Sequence, residues 1–136
     1  MLKKFTVIGI VIPFIIPYII LYAIYIQFNG ETSPGGGFQA GVVFSSSIIA
    51  YDLVFGKKLL NKFFPINNLI ICGTLGIMIY FIIGIIPIIR GDEFLNYSVL
   101  INDSLVSEYI GISVIELGIG LTISSVMCLI YSLIRK

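Results

Sequence analysis

The sequence contains no histidine, which excludes haem ligation, imidazole proton relays and any histidine-based catalytic triad. Charge is also scarce. Asp, Glu, Lys and Arg make up 11% of the 136 residues against 58% hydrophobic residues, and the mean hydropathy is +1.10. A water-soluble globule of this composition would expose large apolar patches, so the chain is read as an integral membrane protein. The two cysteines, Cys72 and Cys128, fall inside apolar runs without metal-ligand spacing, where a thiol is a small buried side chain. No cofactor and no resident metal are expected. The formal charge of +1 comes from scattered basic residues and offers no footprint for nucleic acid.

What the chain has in abundance is long apolar runs. Residues 5–28, 36–55, 66–89 and 109–134 each reach the roughly 20 residues that a helix needs to cross a bilayer. The expected fold is all-α: a polytopic membrane protein of four transmembrane helices, forming one domain over residues 1–136. The first run is longer than a signal-peptide core and no small-residue cleavage pattern follows it, so it is read as retained. Pro13 and Pro17 predict a kink within it, and Pro87 another near the end of the third run. Lys3, Lys4, Lys57, Lys58, Lys62, Arg135 and Lys136 fall on one side of this topology, which places both termini in the cytoplasm. The other side holds Glu31, Arg90, Asp92, Glu93, Asp103 and Glu108. The connector 90–108 is too long for a tight turn and carries Tyr97, Val99 and Leu100, which leaves a short interfacial strand or helix open beside the plainer reading of a solvated outer loop.

The stretch from Ser33 through Pro34, Gly35, Gly36, Gly37, Phe38, Gln39 and Ala40 to Gly41 is not explained by residence in lipid alone. Ser33 before Pro34 reads as a helix cap followed by the first helical residue. Each glycine costs roughly 1 kcal/mol against alanine within a helix, so three in succession imply close backbone approach, unusual dihedrals or a broken start. Gly37 and Gly41 share a helical face where another helix can come near. No Lys-Ser or Lys-Thr follows, which argues against a phosphate loop.

Two carboxylates lie inside apolar runs, where such a group must be paired, protonated or wet. Glu116 is about two turns inside the fourth run, and steps of four give Ile112, Glu116, Gly120, Ser124 and Cys128, with Ser113 alongside. A stripe of small and polar side chains faces protein. Glu116 and Ser124 are therefore candidates for an ion path or coupling site, with a purely assembly-locking carboxylate as the alternative. None of the four runs contains lysine or arginine, so a counter-charge must come from outside them or the group must hold a proton. Asp52 is a weaker candidate for the same path: it shares a face with Gly41 and Ser45 but stands about one turn from Lys57 and Lys58, where an interfacial carboxylate needs no transport role. Gln39 is placed to hydrogen-bond across helices or to line an outer vestibule. Ser45, Ser46 and Ser47 point in different directions and lack a general base.

The string from Gly30 to Gly41 resembles the signature of the MrpB/MnhB family, small membrane components of Mrp-type multisubunit sodium/proton antiporters, with relatives in membrane-bound hydrogenases. That family usually shows a glycine and a histidine ahead of Pro-Gly-Gly-Gly-Phe; here Glu31 stands in the histidine's place. The run Ile115, Glu116, Leu117, Gly118, Ile119, Gly120, Leu121 is similar to the family's second pattern, an acidic residue before alternating glycine and aliphatic residues. The resemblance implies an accessory membrane subunit, not an enzyme in its own right, located in the cell membrane. Its implied partners are other antiporter subunits, with Na+ and H+ as the transported ions, and Pro34, Gly35, Gly36, Gly37, Phe38, Gly41, Gly118 and Gly120 serve helix packing. Two other readings stand beside it: a purely structural subunit of a related energy-converting complex, and a small lipid-acting membrane enzyme, the latter disfavoured by the missing histidine.

Overall fold

The structure, a computed structural model, describes residues 6–30, 34–56, 64–100 and 104–135. Four α-helices account for most of them: α1 (Thr6–Phe28), α2 (Gly37–Phe55), α3 (Ile66–Ile89) and α4 (Ser104–Ile134), with a 3-10 turn at Tyr97–Val99 before α4. All four are long and apolar enough to cross a membrane. No strand occurs among the described residues. The chain is thus an all-α, multi-pass membrane protein.

α4 is the centre of the bundle. It packs most extensively on α3 and on α2, whereas α1 leans mainly on α2 and barely touches α4. Small residues make this arrangement possible, because without a hydrophobic driving force inside lipid, helices associate by close backbone packing. Gly118 faces α3, where a methyl group would lie 2.9 Å from the Gly76 carbonyl oxygen and 3.2 Å from Ile79 Cγ2. Gly120, two residues on, faces the opposite way toward α1 and α2. Thr122 adds a polar tie, its hydroxyl donating to the Gly118 carbonyl at 2.9 Å and to the Gly73 carbonyl of α3 at 3.3 Å.

Two boundaries differ from the sequence reading. α2 begins at Gly37, so Pro34 lies upstream of the helix, not at its first position; Ser33, the expected cap, falls outside the described residues. Gly36 precedes the helix with φ 110°, a conformation that L side chains rarely adopt, and no side chain caps the first turn. α4 begins at Ser104, five residues before its apolar run. Its polar first turns continue the backbone hydrogen bonding beyond the hydrocarbon-matching part, and at about 1.5 Å per residue 31 residues exceed a roughly 30 Å core.

The connector shortens accordingly and is packed. Ser107 donates its hydroxyl to the Tyr97 carbonyl, and Arg90 donates Nη1 to the carbonyls of Val99 and Leu100. Tyr97 lies over Gly111, and Phe94 fills the space beside Gly84. Burial first, and Tyr80 second, hold the Tyr97 phenol above its ordinary value of 10.0.

Candidate functional site

The glycine stretch and Glu116 meet. A methyl group at Gly30 would lie 2.7 Å from Glu116 Oε2 and 2.8 Å from Oε1, and one at Gly36 would lie 3.1 Å from Oε1. Gly37 sits directly on the Glu116 backbone, where an added methyl group would run into the carbonyl oxygen and lie 3.0 Å from Cα. A turn further on, Gly41 lies against α4, where a methyl group would meet the Gly120 carbonyl at 2.7 Å and Ile123 Cβ at 3.0 Å. The glycines between α1 and α2 therefore wrap bare backbone around a carboxyl group on α4, and close approach explains their number better than helix propensity does.

The Glu116 side chain opens onto a cavity of about 180 Å³. Its polar lining comes from Gln27, Asn29, Ser113 and Tyr109 together with Glu116, and no lysine or arginine is among the described residues that line it. At roughly 30 Å³ per water, that volume has room for a handful of solvent molecules or a partly hydrated cation. Gln27 Nε2 is buried without a hydrogen-bond partner. Its Oε1 lies 2.5 Å from where a Gly120 methyl group would stand. Gln27 also lines the neighbouring apolar groove of about 390 Å³, alongside Ala23, Gly41, Phe44, Gly120 and Ser124. One amide therefore separates a polar chamber from an apolar one.

The other sequence candidates are distributed differently. Ser124 is half-buried in the apolar groove, and its hydroxyl donates to its own helix at the Leu121 carbonyl, 3.1 Å away. Gln39 and Phe38 are exposed on α2. Ser45 and Ser47 are buried and self-satisfied, donating to the Val42 and Phe44 carbonyls at 2.8 and 2.7 Å. Asp52 is fully buried at the opposite end of α2 from Gly37. It is ion-paired with Arg135, and Oδ2 accepts from the Tyr131 hydroxyl at 2.9 Å. Lys57 and Lys58, its expected neighbours, lie outside the described residues, as does Glu31.

Gln27, Asn29 and Tyr109 join the site without having been singled out by the sequence. Gln27 carries a usable signal: an amide near the end of an apolar run, one turn before Gly30, is subject to the same argument as Gln39. Tyr109 and Asn29 look like ordinary interfacial residues until the fold brings them beside Glu116.

Residues 7–129 match the family described as a domain related to the MnhB subunit of Na+/H+ antiporter. The chain belongs to the MnhB family. Among its relatives, it is 35% identical over 108 residues to a protein of Staphylococcus haemolyticus (strain JCSC1435) named as antiporter subunit mnhB2, covering 76% of this chain and 74% of that one. It is 29% identical over 76 residues to the B-type subunit of a Na(+)/H(+) antiporter from Bacillus subtilis (strain 168), covering 56% of this chain and 52% of the relative. A Staphylococcus aureus (strain Newman) protein named as antiporter subunit mnhB2 is 36% identical over 72 residues, 53% of this chain and 50% of its own length. The match thus spans about half the length of two of these MnhB relatives and three-quarters of the third.

Proposed function

We propose that this MnhB-family chain is an accessory subunit of a multisubunit Na+/H+ antiporter, working only with partner subunits, and that its Glu116 cavity forms part of the cation path. The observation that carries this reading is the seat of Glu116: a carboxyl group in a membrane-crossing helix, wrapped by glycine backbone and opening onto a chamber lined by two amides and two hydroxyls. An intramembrane carboxylate facing a polar cavity marks an ion or proton route by default. Oxygen-bearing side chains suit a monovalent cation or a proton carried with water. Ser124, Gln39 and Asp52 have less claim on that route, since Ser124 bonds its own helix, Gln39 is exposed and Asp52 is ion-paired. Pro34 and the glycines act in packing, bringing α2 against α4. Both termini lie in the cytoplasm by the distribution of basic residues, which puts the glycine stretch on the outer side.

Glu116→Gln in the assembled complex tests the reading, because the amide keeps size and hydrogen bonding while removing the charge. Sodium-dependent proton movement in everted vesicles is expected to fall by about tenfold or more, as when a charge that the cargo must meet is removed. The complex should keep its native-gel mobility. Normal antiport with the variant would reject Glu116 as part of the path. Loss of the complex itself would make the carboxyl group an assembly contact.

A further inference from the structure

Polar side-chain contacts between α2 and α4 gather at Asp52. Its carboxylate pairs with Arg135, Oδ2 accepts from Tyr131 at 2.9 Å, and its backbone carbonyl accepts from Arg135 Nη1 at 3.2 Å. Arg135 Nη1 also donates to the Tyr131 hydroxyl at 2.6 Å, and the guanidinium carbon lies 5.6 Å from the Tyr131 ring centre. Asp52 is 0% exposed, and its Oδ1 is buried without a hydrogen-bond partner. Burying a carboxylate so completely is costly, and the cost is offset only where geometry is tightly defined. Such a pair specifies one arrangement of two helices against its neighbours.

At the other end of the same two helices the contacts are of a different kind. Gly37 and Gly41 lie on the backbone of Glu116 and Gly120. Glycine against backbone permits close approach, but it offers few interlocking side chains to resist sliding along the helix axes. A slip of one residue moves a helix by about 1.5 Å, enough to carry Gly36 off the Glu116 carboxyl group. The fifteen helical steps from Gly37 to Asp52 span about 22 Å of continuous α2, a stiff rod between the two ends.

We propose that Asp52, Tyr131 and Arg135 form a latch that sets the axial register of α2 on α4 and thereby positions the Gly36–Gly37 backbone against the Glu116 carboxyl group. Asp52 is then a positioning residue with no contact to the transported ion. The inference extends the reading of Glu116 as a cation-facing group, although the geometric link itself holds whichever role Glu116 plays.

The test reads Glu116 directly. The assembled complex in native membranes is treated with dicyclohexylcarbodiimide, and modification of Glu116 is followed by peptide-resolved mass spectrometry, with Glu116→Gln as the blank. Asp52→Asn is expected to change the Glu116 labelling rate by about threefold or more, the size of effect that second-site changes have on a coupled site. Tyr131→Phe should shift it in the same direction by less, and Arg135→Lys, which retains the charge, should stay near the parent rate. If Asp52→Asn does not assemble, Tyr131→Phe and Arg135→Gln, which removes the cation of the pair, decide. Parent-like labelling in every assembled variant that disrupts the pair overturns the latch. Altered labelling alongside normal transport by Glu116→Gln would uphold the latch and reject the ion-path reading; the converse result would separate them the other way.

Discussion

A methyl group at Gly37 has nowhere to go. It would meet the carbonyl carbon of Glu116 at 2.8 Å, and both groups are backbone in packed helices. Gly37→Ala should therefore destabilise the α2–α4 pair by about 1–3 kcal/mol, the usual cost of overpacking, seen as a lower thermal midpoint in detergent. Gly9 is the control, since a methyl group there has nothing within 4 Å. Gly9→Ala should be neutral or stabilising by up to about 1 kcal/mol. Tyr97 gives a pH-dependent signature. Its phenol is held above the ordinary value, so the folded connector favours the neutral form; the contribution is whole below pH about 10 and is lost as pH rises through the folded value. Thermal melts from pH 8 to 11 should show a fall at the alkaline end that Tyr97→Phe flattens.

At the scale of the helix, α2 and α4 are joined by backbone contact at one end and by a buried ion pair at the other. Removing one partner of such a pair leaves an uncompensated buried charge at a cost of about 3–5 kcal/mol. Arg135→Gln should therefore destabilise the chain more than Asp52→Asn, which leaves no buried anion, and a double-mutant cycle in detergent should show strong coupling between them. The helices were legible in the sequence because bilayer thickness imposes apolar runs of fixed length, and the bounds of α1 and α3 follow those runs closely. The start of α4 was not legible, because Ser104, Ser107 and Glu108 interrupt the apolar signal while the backbone stays helical. Glu116 stood out as a deep carboxylate on a stripe of small residues, and Gly37 with Gly41 as a packing face. That the two features are one site depends on α1 and α2 folding back onto α4, which no local pattern encodes. The partner of Asp52 was hidden for the same reason: nearby lysines in the chain are the obvious choice, whereas Arg135 is 83 residues away.

For the whole molecule, the central position of α4 sorts its alternating glycines into two interfaces, Gly118 toward α3 and Gly120 toward α1 and α2. α1 is the least enclosed helix. Val7, Ile10, Phe14, Leu21 and Phe28 of α1 are between 62% and 72% exposed, which only a nonpolar surrounding can satisfy. The Glu116 chamber is lined by the end of α1 with Asn29 and Gly30 and by α4, with one carboxylate among its described lining residues, and membership of the MnhB family fits a chain that contributes a part to a larger machine. The most direct test of that account is the mass of the particle that carries this 15.0 kDa chain when native membranes are solubilised in mild detergent. Blue-native electrophoresis with mass spectrometry of the band should place it in an assembly many times its own mass, together with other antiporter subunits. A band at the size of the isolated chain, recovered quantitatively and active in sodium-dependent proton exchange when reconstituted alone, would contradict it.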